Sequence, residues 1–520
     1  MTARNKSRFA IIAVLAALLI LPITAGCSKN VAQPVAKSPQ PEAVPYPYES
    51  VEGDPLNARI YTLDNGLKVY MTVYKDAPRI QTAIAVRVGS KYDPSETTGL
   101  AHYLEHLLFK GTDEFGTIDY TKEKVLIDQV IDLFETYRTT ADTLARKKIY
   151  HQIDSLSYEA SKYAIAGEYD KMLSSIGASG TNAFTGNEQT VYINDIPSNQ
   201  IEKWLKIESE RFRDPVMRLF HTELEVVYEE KNRSMDNDRR KLSEALNAAL
   251  YQKHPYGTQT TLGNIEHLKN PSIQNVIDYF NTYYVPNNMA IILSGDFDPD
   301  SMIRMIDATF GSFEPKEVPR FVPPREDPIT KPIVKEVVGP DMESVLIGFR
   351  FPGAKSKDAD LLLVTDYLLM NSVAGLIDLN LKQKQKVIGP YSYTSIQNDY
   401  SKHVLGGRPR QGQSLEEVKD LLLSQIDLVR KGEFPDWLPT AVVNNLKLDQ
   451  IRGYESNWGR AASLLDAFIE NVPWEESVNK FARLEKITKA DIVTFANKYY
   501  GDNYVVAYKR TGEDKNVQKI

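Results

Sequence analysis

The chain has 520 residues, 62 lysines and arginines against 69 aspartates and glutamates, and a single cysteine. At about 100–200 residues per domain this length holds two to four domains, and 42% apolar with 25% charged residues is a globular balance that excludes wholesale disorder. A net charge of −7 without a long basic run excludes a nucleic-acid footprint, and one cysteine excludes an intramolecular disulfide framework or a cysteine-rich zinc module.

The first element is a leader. Arg4, Lys6 and Arg8 precede an apolar run from Phe9 to Pro22, followed by small residues ending at Gly26 and Cys27. This is the pattern of a signal peptide, with an apolar core short for a bilayer span. Cys27 stands where a bacterial lipoprotein is cleaved and acylated, although Thr24 occupies the place a lipobox usually gives to Leu. Residues 1–27 are therefore expected to be a lipoprotein signal. Residues 28–54, with Pro34, Pro39, Pro41, Pro45 and Pro47, read as a Pro-rich tether. The protein is expected in the cell envelope, held to the membrane by an N-terminal lipid anchor. Ser28 and the lack of an Asp retention signal favour an outer membrane facing the periplasm. No later segment carries the roughly 18 uninterrupted apolar residues of a membrane helix.

Residues 55–312 read as the first domain. Ala58 to Tyr74 forms two short strands around Asp64-Asn65-Gly66, and Ile80 to Val88 alternates as another strand. Thr98 to Phe109 has helical periodicity, with Leu100, Leu104, Leu107 and Leu108 on the buried side. The Lys-, Glu-, Asp-, Ala- and Tyr-rich stretch 119–172 predicts a helical hairpin, 177–193 returns to strand, and 200–250 is helical again. The prolines between Pro315 and Pro332 mark 313–333 as a linker, leaving 334–520 as a second domain. The second domain repeats part of the first. Leu268 to Leu293 and Leu484 to Lys509 align without a gap at an offset of 216 residues. In each, Ser272 or Thr488 caps a helix, a Tyr-Tyr pair ends it and an apolar strand follows. The expected fold class is α+β: two homologous α/β-sandwich domains, each an antiparallel-rich sheet with helices packed on one face, duplicated in tandem.

The decisive segment is His102-Tyr103-Leu104-Glu105-His106. Histidines four apart on a helix project from one face, a spacing that suits two ligands of a single Zn²⁺. Glu105 lies between them, where it can contact a reacting water without ligating. This is the H-x-x-E-H order, the inverse of H-E-x-x-H. A third ligand must be a carboxylate or another histidine, and Glu223 to Glu230 is the best source. Glu223 and Glu230 are seven apart, on one helical stripe, and spacing alone does not separate Glu229 from Glu230.

Gly99-Leu-Ala-His-Tyr-Leu-Glu-His-Leu-Leu-Phe-Lys-Gly-Thr112 closely resembles the motif of the pitrilysin/insulinase family of metallopeptidases, which includes the mitochondrial processing peptidase. So do Asn182-Ala-Phe-Thr185 with Gln189-Thr-Val-Tyr192, Glu208 to Arg211, and His254-Pro-Tyr-Gly257. The resemblance runs from residue 55 to 512. It implies one zinc per chain on His102, His106 and Glu230, with Glu105 as general base and Glu223 in support. It also implies that Asn182, Ala183 and Phe184 lie on an edge strand to which peptide substrates add as a further strand.

Two departures stand out. His106 and Glu230 are 124 residues apart, longer than the family's interval, and the 119–172 segment accounts for the excess. The family's Arg and Tyr, which contact the substrate carbonyl from the opposite half of a clamshell, have as nearest counterparts Lys384 and Tyr391. Lys lacks the planar fork of Arg. The resemblance therefore implies a zinc endopeptidase acting as a homodimer or as a heterodimer with a zinc-free homologue. The alternative is a non-catalytic or partner-dependent subunit of a heterodimeric peptidase.

Overall fold

The computed structural model describes residues 46–513, so Cys27, the signal segment and most of the tether lie outside the described residues. The tether ends sooner than 54. β1 (Tyr48–Glu49) pairs with β2 (Arg59–Thr62), and the Asp54 carboxylate accepts the backbone N–H of Leu56 and Ala58 and the indole N–H of Trp474. The first sheet adds β3 (Lys68–Val73), β4 (Arg79–Val86), β5 (Ser179–Thr185), β6 (Thr190–Pro197) and β7 (Met289–Gly295), in the order β1-β2-β3-β7-β4-β6-β5. All its pairings are antiparallel except β3 with β7, and β5 is an edge strand. The second sheet contains β8 (Ile333–Gly339), β9 (Ser344–Pro352), β10 (Ile388–Ser395), β11 (Tyr400–Arg408) and β12 (Tyr504–Thr511), in the order β10-β11-β9-β12-β8. The Pro-rich segment between Phe313 and Pro332 carries no helix or strand.

The helices that matter for the site are, in chain order, α1 (Leu100–Leu107), α2 (Tyr120–Thr139), α3 (Thr143–Ser161), α4 (Phe220–Met235), α5 (Asp238–Leu250), α6 (Ile273–Tyr283), α7 (Ala359–Leu369), α8 (Asn457–Glu470) and α9 (Lys489–Tyr499). The expected buried face of α1 is borne out: Leu100, Leu104, Leu107 and Leu108 are all buried. The hairpin read from 119–172 is α2 with α3. Each sheet packs its own helices on one face, giving one core around Ile84, Leu104 and Ile291 and another around Ile347, Leu368 and Val506.

The opposite face of each sheet is covered by a helix from the other half. Leu464, Leu465 and Phe468 of α8 pack on Tyr70, Ala83, Ala85 and Ala290 of the first sheet, where the alanines let the helix approach closely. In return, Leu242, Leu246 and Leu250 of α5 pack on Leu346, Val404 and Val505 of the second sheet. A Cβ on Gly348 would stand 2.9 Å from Leu250 Cδ1, so this approach also needs a missing side chain. A buried ion network joins the halves at their hairpin turns. Lys91 Nζ lies 2.6 Å from Glu188 and 2.8 Å from Asp399, which also meets His254 Nε2 at 3.2 Å.

The internal repeat is real in its helices but slips at the strand. Ser272 and Thr488 both cap their helices through side-chain oxygens. After Tyr284, residues 285–288 lead to β7, whereas after Tyr500 only 501–503 lead to β12. Met289, Ile291 and Leu293 face the first half's own core, and Tyr504, Val506 and Tyr508 face the second half's. The strands therefore match at an offset of 215, not 216: with side chains alternating every residue, a one-residue deletion in the turn keeps the apolar set inward.

Arg218 organises the approach to the site. Its guanidinium donates to both Glu123 oxygens of α2 at 2.6 and 2.8 Å and to the carbonyls of Lys110 and Thr112 at 3.0 Å each. Both partners of the ion pair are fully buried. Gly111 and Gly116, at φ 104° and 85°, make room: a Cβ on either would stand 2.9 Å from the guanidinium. The next residue, Leu219, adopts a left-handed conformation (φ 55°) that turns the chain into α4. Replacing Arg218 by Met would leave the Glu123 charge buried without a partner, at a cost of about 3–5 kcal/mol. Urea unfolding should show that loss, and the double variant Arg218→Met/Glu123→Leu should recover most of it. Additive losses in the two single variants would contradict the pairing.

Candidate metal centre

α1 presents His102 and His106 one turn apart, and α4 crosses them with its acidic stripe. Tyr103 fixes this crossing by donating its hydroxyl to the Phe220 carbonyl at 2.5 Å. The start of α1 is held from outside the helix, where the buried Asp93 carboxylate accepts the backbone N–H of Gly99 at 2.7 Å and of Ala101 at 2.9 Å.

Glu230 Oε2 lies 3.6 Å from His102 Nε2 and 3.8 Å from His106 Nε2, and the three ligand atoms all fall within 4.8 Å of one another. Ligands about 2.0–2.1 Å from a tetrahedral zinc are separated by roughly 3.3 Å, so the triad needs only a small inward movement. The donor set of two imidazoles and one carboxylate is that of a zinc site with an open fourth position. Glu229, left open by spacing, is exposed and meets Asn232 instead.

Glu223 sits behind His106. Its Oε2 faces His106 Nδ1 at 3.3 Å while Oε1 accepts Lys110 Nζ at 2.8 Å. With Nδ1–H donated to Glu223, the Nε2 lone pair is left for a metal. Glu223 thus contacts His106 from behind and lies outside the candidate ligand group. Lys110, three residues past the end of α1, was not singled out from sequence. Glu105 is buried and outside the ligand set, and Thr185 Oγ1 donates to its Oε2 at 2.5 Å.

Electrostatics separates the two histidines. Burial lowers His102 from 6.5 to about 3, with the charges of His106 and Arg240 adding to the effect. Burial acts the same way on His106, but the carboxylates of Glu223, Glu230 and Glu105 outweigh it and raise that group above 6.5. Burial also raises Glu105, partly offset by Thr185 and His106. Burial would raise Glu223 too, yet His106 and Lys110 pull it below its ordinary value.

The other expected site residues divide. Asn182, Ala183 and Phe184 do lie on an edge strand, β5, whose inner-face residues Ala183 and Thr185 pair with Tyr192 and Thr190. Phe184 turns the other way and packs with the α8 cluster, and Asn182 is exposed. Lys384 and Tyr391 are not members of the candidate ligand group. Lys384 Nζ meets Asn380 Oδ1 at 3.2 Å, and Tyr391 lies on β10, the edge strand of the second sheet, stacked against Tyr393.

The chain belongs to the insulinase family, peptidase family M16: residues 69–125 and 147–262 match that family, and 272–446 match the peptidase M16 inactive domain. The gap within the first of these matches, 126–146, covers most of α2, the turn after it and the start of α3. The zinc protease PqqE of Helicobacter pylori is 23% identical over 385 residues, 72% of this chain and 85% of that one. A probable mitochondrial-processing peptidase subunit beta of Arabidopsis thaliana is 21% identical over 88% of this chain and 80% of its own. A protease structure from Helicobacter pylori superposes with a TM-score of 0.72 at 21% identity, covering 90% of this chain and 100% of that one. Pitrilysin superposes at 0.66 and 18% identity, with 89% of this chain covering 46% of that one.

In the metal-free protein, His102 should stay neutral between about pH 5 and 8, while His106 titrates above 6.5. Because folding lowers the pKa of His102, its contribution to stability is complete above pH 6.5 and is lost as pH falls toward 3. The raised group, His106, has the opposite sign: its contribution is complete below 6.5 and is lost as pH rises through its folded value. Imidazole NMR titration of the metal-free chain checks both, and a His102 that protonates near 6.5 would contradict the packing described.

Proposed function

We propose that this chain is a zinc-dependent endopeptidase that hydrolyses extended or unfolded peptides in the cell envelope. The observation that carries the proposal is the convergence of His102, His106 and Glu230, with Glu105 beside them but outside the ligand set. Those three residues would hold a zinc ion, which would supply Lewis acidity toward a peptide carbonyl and lower the pKa of water toward neutral. Glu105 takes the proton of the attacking water and returns it to the leaving amine, a task suited to a carboxylate whose pKa burial has raised. Glu223, anchored by Lys110, holds His106 in the tautomer that ligation requires. The open edge of β5 offers main-chain hydrogen bonds to an extended peptide, which favours flexible substrates over a fixed side-chain code.

The reading extends to assembly. This chain matches just under half of pitrilysin, so a closed chamber of that size calls for two such chains. In this reading Lys384 and Tyr391, which lie on the second half, serve a partner's site. Dimerisation with an identical chain or with a zinc-free homologue bearing the missing Arg satisfies this. Partner-dependent activity is the second reading, and the Lys in place of Arg favours it. Attachment through Cys27 completes the proposal.

Glu105→Gln should keep zinc bound and reduce hydrolysis of a mixed pool of unstructured peptides by about 100-fold or more, the scale of a lost general base. Wild-type turnover by that variant would remove Glu105 from the mechanism.

A further inference from the structure

Glu105 has a single hydrogen bond among the described residues, and it comes from the strand edge that would receive the peptide. Thr185 is the last residue of β5, with its hydroxyl 2.5 Å from Glu105 Oε2. No ion pair or other hydrogen bond holds that carboxylate, although it is buried and next to His106 and Glu230. A glutamate side chain has three rotatable bonds, and nothing else polar selects the rotamer that faces the metal ligands. We propose that Thr185 is a positioning residue for Glu105, locking the carboxylate of the proton-transfer group to the peptide-accepting strand. This rests on the peptidase reading above and assigns Thr185 a role in the chemical step instead of in substrate affinity.

The second half supplies an internal comparison. Thr394 pairs with His403 across β10 and β11, as Thr185 pairs with Thr190 across β5 and β6. Thr394 Oγ1 likewise points to a buried carboxylate, Asp366 of α7, at 3.4 Å. The burial pattern of residues 363–367 repeats that of 102–106, with Leu363 and Tyr367 at the histidine positions. Asp366 has a further donor, Ser392 Oγ at 2.5 Å, and lies 3.3 Å from His403 Nε2. The hydroxyl-to-carboxylate contact is therefore part of the duplicated fold. Only in the first half is it the carboxylate's sole tether among the described residues, and only there does the carboxylate lie beside a candidate ligand cluster of which it is not a member. Two roles are thus separable: general packing, shared by both threonines, and orientation of a reacting group, confined to Thr185.

The test uses the full chain in four forms: wild type, Thr185→Val, Thr185→Ser and Thr394→Val. Crystal structures without metal read the orientation of Glu105 directly. The proposal expects one Glu105 rotamer in wild type, Thr185→Ser and Thr394→Val, and a displaced or multiply occupied carboxylate in Thr185→Val. Binding of an unstructured peptide to the metal-free chain should be unchanged throughout. With zinc, kcat should fall about 10- to 100-fold in Thr185→Val with KM and zinc content unchanged, the scale of one hydrogen bond to a charged group. It should stay within about threefold of wild type in the Ser variant. An unmoved Glu105 in Thr185→Val overturns the proposal, as does wild-type kcat in that variant while Glu105→Gln is inactive. Loss of zinc or of peptide binding in Thr185→Val would also overturn it, by assigning the residue to general packing. Turnover by Glu105→Gln would instead bring down the mechanism on which this inference rests.

Discussion

The candidate site depends on how two helices from distant parts of the chain are brought to cross, and the buried Arg218–Glu123 pair is the constraint that does this. The guanidinium holds the carbonyls that follow α1, the carboxylate of α2, and the turn that opens α4. The histidine helix and the carboxylate helix therefore share one anchor. A buried ion pair is weak evidence for stability in itself, because desolvating two charges offsets most of their attraction. Its contribution here is specificity of geometry: a guanidinium with fixed donor directions selects one arrangement of three segments. The α2–α3 hairpin, most of whose first helix lies outside the family match, packs Phe134 against Phe220 at the start of α4, with ring centroids 5.2 Å apart. That contact makes the hairpin a buttress for α4.

The duplicated halves show which side chains distinguish the candidate metal site from the shared scaffold. Both have a helix laid on the inner face beside an edge strand, a buried carboxylate on it, and a strand threonine bonded to that carboxylate. In the second half Leu363 and Tyr367 stand at the histidine positions, and the α4 carboxylate stripe has no counterpart bonded to them. The candidate metal site is thus a set of side chains carried on a scaffold that recurs in the second half without them. The halves nevertheless do not act as separate domains. Each lends the other a helix, so that neither sheet has its outer face covered by its own residues alone. The Lys91 network then pins the β5–β6 turn to the β10–β11 turn, fixing the β5 edge relative to the second half.

Much of this was legible in the sequence because the informative signals are local. The histidine spacing, the leucine face of α1, the threonine and serine caps and the 119–172 hairpin all depend on residues within a few turns of one another. The Glu223/Glu230 stripe was legible for the same reason, but its choice over Glu229 needed a helix crossing that spacing does not encode. Lys110, Arg218 and Thr185 were missed because each acts across the chain, Arg218 on residues about 100 positions earlier and Thr185 on one 80 earlier. The exchanged helices were missed because an amphipathic pattern shows that a face is buried without showing which sheet buries it. The apparent gap-free repeat concealed a deleted turn residue because strand side chains of both halves are apolar on both faces, so a one-residue slip leaves no mark in composition.

The central claim is that two imidazoles from one helix and one carboxylate from another hold a single zinc. X-ray absorption at the zinc edge, on zinc-loaded protein comprising residues 28–520, tests it without relying on any substrate. One zinc per chain, with two histidine nitrogens and the remaining ligands oxygen at about 2.0–2.2 Å, is the predicted result. A shell with a single histidine or with none, or zinc lost on simple dialysis, would contradict the account.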